Sequence, residues 1–191
     1  MTIAVTVPTS APTLTPGTWA IDATHSEVSF AVRHLMVSKV RGTFARFGGT
    51  ITVADDLPRS SAEASVELES VDTHDERRDA HLRSADFFDV EKYPLMRYRS
   101  TAVRPDGDTF VVDGDLSLHG VTRPVPLRVE LNGVNPDPWG GTRAGFSATG
   151  EINRRDFGID IAMPLDGGGV VVGDRVTISI EVEATLQAPA A

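Results

Sequence analysis

The chain has 191 residues, a length that suits a single domain, because all-β barrels of this size fold as one unit. The 18 Lys and Arg residues against 27 Asp and Glu residues give a formal net charge of −9. This excess of acid argues against nucleic acid and anionic membrane surfaces as main partners. Because the sequence has no cysteine, disulfides, thiolate metal sites and cysteine nucleophiles are excluded.

The two ends of the chain differ in composition from its body. In residues 1–17, Pro8, Pro12 and Pro16 alternate with Thr, Ser and Ala, which predicts an extended, unpacked leader. The ordered domain is expected over residues 18–187 and a loose tail over 188–191. The leader lacks the basic region and apolar core of a secretory signal, and no run approaches the roughly 20 apolar residues of a membrane span. We therefore expect a cytoplasmic protein with no stable membrane insertion.

The body of the chain is dominated by period-two alternation of apolar and polar residues. In Glu27–His34, Val28, Phe30 and Val32 face one way, and the polar residues between them face the other. Strands with one apolar and one polar face indicate antiparallel pairing. The remaining strongly alternating strands are predicted at Ala62–Val71, Val121–Leu131 and Val176–Gln187. Weaker strands are predicted at Lys39–Phe47, Gly49–Ala54, Met96–Arg104, Thr109–Leu118 and Arg143–Arg154.

One stretch, Asp72–Tyr93, departs from this alternation and predicts a helix. Asp72 or Thr73 can cap it, acidic residues lie early in it, and Pro94 ends it. A connection between two strands needs only a few residues. We therefore expect this long insertion, called the helical segment below, to cover one end or side of the interior.

The strand pattern predicts a closed barrel of about eight strands, because an open sheet would leave a large apolar face in water. A barrel of this size is either filled by its own side chains or holds one small ligand. The inward positions include Ala62, Ala64, Gly114, Ala144, Ala148, Gly150 and Ala184, which favours spare volume. Sheet curvature at the glycines, or a collapsed sandwich, would explain the same small residues.

Several polar residues are candidates for chemistry, and each has a structural alternative. His34 is in phase with the inward residues of its strand, so its side chain should point inward. It is then either a polar anchor or general base in the cavity, or a buried histidine with a backbone partner. His74, Arg78 and His81 share a helix face. They form either a cluster that binds an anionic head group or a solvated face with local salt bridges. The histidine spacing gives no support for a zinc site. The turn Arg154–Gly158 fits anion binding and internal Arg–Asp pairing equally well.

Motifs in order along residues 18–187 resemble the YceI-like proteins. The opening motifs are Trp19–Ser26, Val28–Leu35 and Val40–Phe44. The middle motifs are Ser70–Thr73, Arg78–Ser84, Asp86–Val90 and Tyr93–Pro94, and the later ones are Leu116–Val125 and Asp156–Gly158. The resemblance implies an all-β fold, a lipocalin-like antiparallel eight-stranded β-barrel with one helical insertion, which binds a polyisoprenoid or another amphiphilic lipid.

On this resemblance we predict non-enzymatic binding, storage or transport of a long-chain isoprenoid or similar lipid, with no cofactor, catalytic residue or metal. Apolar residues at the edges of the barrel also suggest a possible homodimer. The head-group candidates are His34, Arg78 and His81. The tail-lining candidates are Phe30, Val32, Val66, Leu68, Leu127, Val129, Ile178 and Ile180. Two alternatives stay open: an isomerase or hydrolase of a lipid-like substrate with His34 as base, and an adaptor whose filled barrel presents loops to a protein partner.

Overall fold

The computed structural model describes residues 14–35, 37–162 and 171–188, which form twelve strand segments, one α-helix and four 3₁₀ turns. The helix α1 is Glu76–Arg83. The 3₁₀ turns are Ala23–His25, Leu57–Arg59, Leu68–Ser70 and Arg154–Phe157. The strands are β1 Gly17–Ile21, β2 Glu27–His34, β3 Ser38–Phe44, β4 Phe47–Val53, β5 Ser61–Glu67, β6 Val71–Asp72, β7 Leu95–Asp106, β8 Thr109–Leu118, β9 Val121–Pro124, β10 Leu127–Pro136, β11 Thr142–Asn153 and β12 Val172–Leu186.

The segments join into eight long antiparallel strands that close into a barrel, as the sequence predicts. Four long strands are interrupted, and each consists of two segments: β1 with β2, β3 with β4, β5 with β6, and β9 with β10. The strand β12 closes the barrel, because it pairs with β11 along one edge and with β2 and then β1 along the other. The pair β2–β3 and the short β6 lie at the same end of the barrel as α1.

The break between β1 and β2 is a capped turn. The Asp22 carboxylate accepts a hydrogen bond from the Thr24 amide at 3.0 Å, and the Ser26 hydroxyl donates to the Asp22 carbonyl at 2.6 Å. The Asp22 amide donates to the Glu183 carbonyl of β12 at 2.8 Å. These bonds satisfy the backbone groups that the ladder loses at the break, so both segments stay paired with β12.

Most predicted strands are present, and two of them, β2 and β8, have the predicted bounds. The predicted strand Val121–Leu131 is divided, because Val125 turns its amide to the Gly114 carbonyl at 2.7 Å and Pro126 has no amide hydrogen to donate. The first strand, β1, is an addition to the predicted set.

The packed part of the chain begins before residue 18, where the ordered domain was predicted to start. Gly17 begins β1, Leu14 packs against a buried cluster, and the Thr15 carbonyl accepts a hydrogen bond from the Trp19 indole at 3.0 Å. Residues 1–13 lie outside the described residues, as do 189–191 of the predicted tail. The leader composition therefore misled the prediction at its last residues, where an apolar side chain and a backbone acceptor meet Trp19.

The helical segment is mostly turn, and the prediction of a helix over Asp72–Tyr93 is wrong outside Glu76–Arg83. The Asp75 carboxylate caps α1 by accepting from the Arg78 amide at 3.0 Å. After the helix the Ser84 hydroxyl donates to the His81 carbonyl at 2.7 Å, and Asp89 has a φ of 49°. Short polar side chains that bond to nearby backbone compete with helical hydrogen bonds, so the chain turns after Arg83.

Two buried clusters stabilise the barrel at opposite ends. The larger one joins barrel residues, among them Val28 and Phe44, to Phe87 of the helical segment. The smaller one surrounds Trp19, which is 0% exposed, and includes Phe146 and Ala184.

The two tryptophans of the chain give a direct test of this packing. We expect Trp19→Ala to lower the free energy of unfolding by about 3–5 kcal/mol, the usual cost of removing a buried aromatic side chain. Trp139, at 81% exposed, is the matched control, and Trp139→Ala should change that free energy by less than about 0.5 kcal/mol. Urea denaturation measures both, and equal losses in the two variants would contradict the assigned core.

Candidate functional site

The barrel encloses a cavity of about 750 Å³. Inward-facing side chains of all the long strands contribute to its wall. On β2, for example, Val28, Phe30 and Val32 line the cavity, while Glu27 and Arg33 are exposed on the outer face. The wall is overwhelmingly apolar, so the interior is a site for an apolar molecule.

Small residues on the inner face have two different roles. Ala62, Ala64 and Ala148 line the cavity, as expected for spare volume. Gly114, in contrast, makes room for a ring, because a Cβ atom at this position would lie 2.4 Å from Tyr98 Cζ. The alanines therefore widen the cavity, and Gly114 accommodates a large neighbouring side chain.

The helical segment covers one end of the cavity. Leu82, Phe87 and Phe88 from this segment line the wall. The ring of Phe88 lies 6.0 Å from that of Phe44 on β3, a separation typical of favourable aromatic pairs. At the opposite end, the lining residues include Leu14 and Leu57, and Leu57 belongs to the turn Leu57–Arg59.

A cluster of polar contacts around Thr73 fixes α1 against the chain that leaves β6, and one of these contacts reaches β6 itself. The buried Asp79 carboxylate accepts from the Thr73 amide at 2.9 Å and from the Thr73 hydroxyl at 2.5 Å. The Arg78 guanidinium donates to the Thr73 hydroxyl and to the Thr73 carbonyl, both at 2.7 Å. Arg83 donates to the Val71 carbonyl at 2.9 Å. These contacts are called the Thr73 clamp below.

The wall also carries a few polar residues, most of them towards its two ends; an exception is Ser29, midway along β2. Near the helical segment, Arg154 is 4% exposed and donates to the Ile159 carbonyl at 2.6 Å and to Asp174 at 2.8 Å. Burial lowers the pKa of the Arg154 guanidinium. At the opposite end the polar lining residues include Asp55 and Ser61, which are exposed.

Seven of the eight predicted tail-lining residues are on the cavity wall. The exception is Leu68, which is 0% exposed and belongs to the larger buried cluster. The strand β5 ends at Glu67, and Leu68 begins a 3₁₀ turn, so the inward alternation does not continue to it. Contact of the other seven with a lipid tail stays a prediction. They are Phe30, Val32, Val66, Leu127, Val129, Ile178 and Ile180.

None of the three predicted head-group residues lies on the described cavity wall. His34 ends β2 and pairs with Val172. Arg78 is part of the Thr73 clamp. His81 Nε2 lies 2.9 Å from Asp86 Oδ2, and its ring packs edge-on against Phe87 at 5.0 Å. A head-group role for these residues stays a prediction without geometric support.

Sequence reasoning missed the polar residues that do reach the cavity. The sequence pattern places Arg154 in a turn, whereas its partners Gly173 and Asp174 are about twenty residues further along the chain. The pattern likewise places Asp55 in a turn and gives it no inward direction. The register of β11 against β12 would have predicted that Arg154 lies close to Asp174, because Asn153 pairs with Arg175.

A second polar cluster lies on the outer surface of the barrel. Arg143 donates to Asp22 at 2.9 Å, to Asp137 at 3.3 Å and to Glu183. Hydrogen bonds from His25 and Arg143 hold the pKa of the Asp22 carboxyl well below its usual range. Although Asp22, His25 and Glu183 are close enough to share a metal ion, the Arg143 guanidinium already contacts both carboxylates. We assign this cluster to holding the β1–β2 break against β11 and β12.

The fold and the site define a hollow antiparallel β-barrel whose cavity is covered at one end by a helical insertion. Residues 19–184 match the YceI-like domain, and the chain belongs to that family. The protein YceI of Escherichia coli O157:H7 is 46% identical over 136 residues, 71% of each chain. A protein of Photorhabdus laumondii is 44% identical over 138 residues, 72% of each chain.

Solved structures share the same fold. The YceI protein of Campylobacter jejuni superposes with a TM-score of 0.67 at 28% identity, covering 82% of this chain and 90% of that one. BcnA of Burkholderia cenocepacia gives 0.74 at 21% identity, covering 85% and 98%. A polyisoprenoid-binding domain of Saccharophagus degradans, implicated in plant cell wall breakdown, gives 0.64 at 16% identity, covering 88% and 98%. The last two show likeness of fold.

The Thr73 clamp predicts a specific loss of order. Asp79→Ala should leave the buried Thr73 amide and hydroxyl without their acceptor. We therefore expect faster amide hydrogen exchange in residues 76–90 and unchanged exchange in residues 176–184 of β12. Glu76→Ala, an exposed change in the same helix, is the control and should leave both regions unchanged. Equal acceleration in β12 would show that Asp79 supports the whole barrel rather than the helical segment.

Proposed function

We propose that this protein binds a long-chain isoprenoid or a similar amphiphilic lipid inside the barrel, and that it stores or transports the lipid without changing it chemically. The observation that carries the proposal is the enclosed apolar cavity of about 750 Å³. Ligand pockets generally measure about 300–1,000 Å³ and bury most of a ligand's surface. A predominantly apolar wall fits an apolar chain better than a compact polar molecule.

The size of the cavity favours an occupant. Empty apolar volume is unfavourable inside a protein, because the side chains that line it lose the dispersion contacts of a close-packed interior. An apolar chain in the cavity supplies dispersion interactions with the wall, and water does so poorly. We therefore expect the purified protein to carry bound apolar material.

Selectivity must come from the shape of the cavity and from its ends. Burial contributes about 0.8 kcal/mol per CH₂ group relative to water, which for a long tail exceeds the cost of association, about 4–15 kcal/mol. Such a lipid resides in a bilayer, however, where its tail is already dry. Transfer between bilayer and barrel is therefore close to balance, and the fit to the wall decides which lipid is held.

Family membership and fold support the proposal. The Saccharophagus degradans domain that shares this fold is a polyisoprenoid-binding domain. None of the helices in the described part of the chain has the length and apolar composition of a membrane span.

The enzymatic alternative assigns His34 as a general base, and the geometry gives this assignment no specific support. A base must come within hydrogen-bond reach of the proton that it removes. His34 is outside the described wall, whereas Val32, two residues earlier, is on it. Loss of turnover of a lipid-like substrate in His34→Ala would nevertheless establish the enzyme.

The direct experiment is extraction of the purified protein with organic solvent, followed by mass spectrometry. An intact amphiphilic lipid in stoichiometric amount is the expected result. A protein that carries no lipid, and that binds no added polyprenol or quinone, would overturn the proposal. Recovery of a chemically altered product would favour the enzyme instead.

A charge placed on the wall should abolish loading. Val66 is buried and lines the cavity, and a carboxylate among apolar side chains costs several kcal/mol unless it is neutralised or paired. We expect Val66→Glu to retain no lipid, while Glu67→Gln, an exposed change one residue along β5, retains a full complement. Mass spectrometry of the extracts measures both.

A second variant keeps this test decisive if Val66→Glu fails to fold. Ala148→Phe fills part of the cavity and keeps the wall apolar, so the barrel should fold and hold less lipid. Full loading of a folded Val66→Glu or Ala148→Phe protein would contradict binding at this wall.

The helical segment should respond to lipid as a lid. Leu82 and Phe88 line the cavity and are partly exposed, so an occupant would pack against both side chains. We expect lipid to slow amide hydrogen exchange in residues 75–90 more than in residues 176–184. Equal change in the two regions, or none in the helical segment, would make the segment a static brace.

A further inference from the structure

The positive charge of this acidic protein is concentrated in one stretch of chain. Residues 28–54 contain Arg33, Lys39, Arg41 and Arg46 and no Asp or Glu. The rest of the chain therefore holds 14 basic and 27 acidic residues, a balance of −13. The net charge of −9 conceals this separation, because it averages the basic stretch with the acidic remainder.

Three of these basic residues share the outer face of the β2–β3 hairpin. Arg33 pairs with Lys39 across the hairpin, and Arg41 pairs with Ala31. Because Val32 faces the cavity, its neighbour Arg33 and the residues in phase with it face outward. All three basic side chains are exposed, and no carboxylate of the described residues forms an ion pair with them.

The tip of the same hairpin presents apolar side chains to solvent. Val37 is 82% exposed and Leu35 is 39% exposed. Together with Trp139 they are the exposed large hydrophobic side chains of the described residues. Leu35 also has a φ of 52°, a left-handed conformation that glycine and asparagine adopt far more readily than leucine. The turn therefore holds leucine in a strained backbone conformation, with its apolar side chain exposed.

We infer that this hairpin is a docking surface for an anionic phospholipid bilayer. The hairpin patch consists of Arg33, Leu35, Val37, Lys39 and Arg41. Its basic side chains complement lipid phosphates, and its apolar tip reaches the boundary between head groups and acyl chains. The patch can act whether or not the cavity holds a lipid, so it does not rest on the proposed function.

The acidic remainder of the protein does not prevent such docking. The Debye length is about 10 Å at 0.1 M salt. Strands of about ten residues at about 3.3 Å per residue, tilted by about 40°, make the barrel roughly 25 Å tall. Carboxylates at the far end of the barrel, such as Asp106 and Asp137, are therefore screened from a bilayer that touches the hairpin tip. The helical segment, at the docking end, adds exposed carboxylates such as Asp75 and Glu76, which the exposed Arg77 and Lys92 of the same segment partly offset. On this inference the net charge of the whole chain is a poor guide to membrane binding, because screening makes the interaction local.

Docking would bring the covered end of the cavity to the membrane. The strand β2 carries wall residues Val28, Phe30 and Val32, and Leu35 follows three residues after the last of them. The strand β3 also pairs with β6 through Thr43 and Phe44, at the end of β3 away from the hairpin tip, and β6 leads into the helical segment. A bilayer at the hairpin tip would therefore lie at the same end of the barrel as the lid.

Vesicle sedimentation with the purified full chain tests the inference. We expect binding to vesicles of about one-third phosphatidylglycerol in phosphatidylcholine, no binding to pure phosphatidylcholine, and release when NaCl rises from about 0.05 to about 0.5 M. Lys39→Gln with Arg41→Gln should weaken binding about 25-fold, since each basic residue near an anionic surface changes affinity about fivefold. Leu35→Ser with Val37→Ser should weaken it at least fivefold, on the order expected for apolar side chains returned to water.

Matched controls make the outcome decisive. Trp139→Ser removes an equally exposed apolar side chain from a different hairpin, and Arg99→Gln removes an exposed charge from β7; neither should change vesicle binding. Absence of binding to the anionic vesicles, or equal losses in the controls, would overturn the inference. Binding of an acidic protein or RNA without vesicle binding would also overturn it. Lipid extraction is scored separately, so docking and cavity binding succeed or fail independently.

Discussion

Closure of the barrel by β12 is the constraint on which the rest of the structure depends. This strand has 15 residues, and it pairs with β11 along one edge and with both β2 and β1 along the other. Without closure, the same alternating strands would form an open sheet with an exposed apolar face and free edges. The capped break at Asp22–Ser26 allows one β12 edge to serve two strand segments, and Arg143 ties this break to the neighbouring strands.

Closure creates an interior that the side chains do not fill. An eight-stranded barrel is near the size at which side chains alone can fill it. Here Ala62, Ala64 and Ala148 occupy inward positions, so a cavity of about 750 Å³ remains. The two ends are closed differently: Leu82, Phe87 and Phe88 cover one of them, and apolar residues near Trp19 narrow the other. The cavity is therefore predominantly apolar, with most of its polar groups towards its ends.

The parts of this structure that follow a simple period could be predicted from the sequence, and the parts set by tertiary contacts could not. Alternation in Glu27–His34 predicted the bounds of β2 and the inward direction of Phe30 and Val32, because a strand has only two faces. The helix stops at Arg83 because Ser84 bonds back to His81, a local competition that helix propensity does not include.

The polar ends of the site were the hardest to predict. The helical spacing of Arg78 suggested that this residue binds a head group. Its guanidinium instead donates to the hydroxyl and carbonyl of Thr73, a contact that forms only when the segment is folded. Arg154 meets Asp174 and the Gly173 carbonyl across β11 and β12, a contact between distant parts of the chain. The basic hairpin was readable in the sequence, and summing the charge over the whole chain hid it.

If the protein carries lipid as proposed, the near balance between bilayer and barrel makes a weak, local docking surface sufficient. If the tail gains little free energy on transfer, the direction of transfer depends on whether the protein is at the membrane and whether the lid is open. Three basic residues contribute about 1 kcal/mol each near an anionic surface, and two partly inserted apolar side chains add a comparable amount. This is the range of a single myristoyl chain, which binds membranes reversibly, with an association constant of about 10⁴ M⁻¹. Stronger attachment would hold the protein on the bilayer, and a uniformly acidic surface would keep it away. Concentrating the basic residues on one hairpin of an acidic barrel allows repeated contact and release, and it presents the lid end of the cavity during contact.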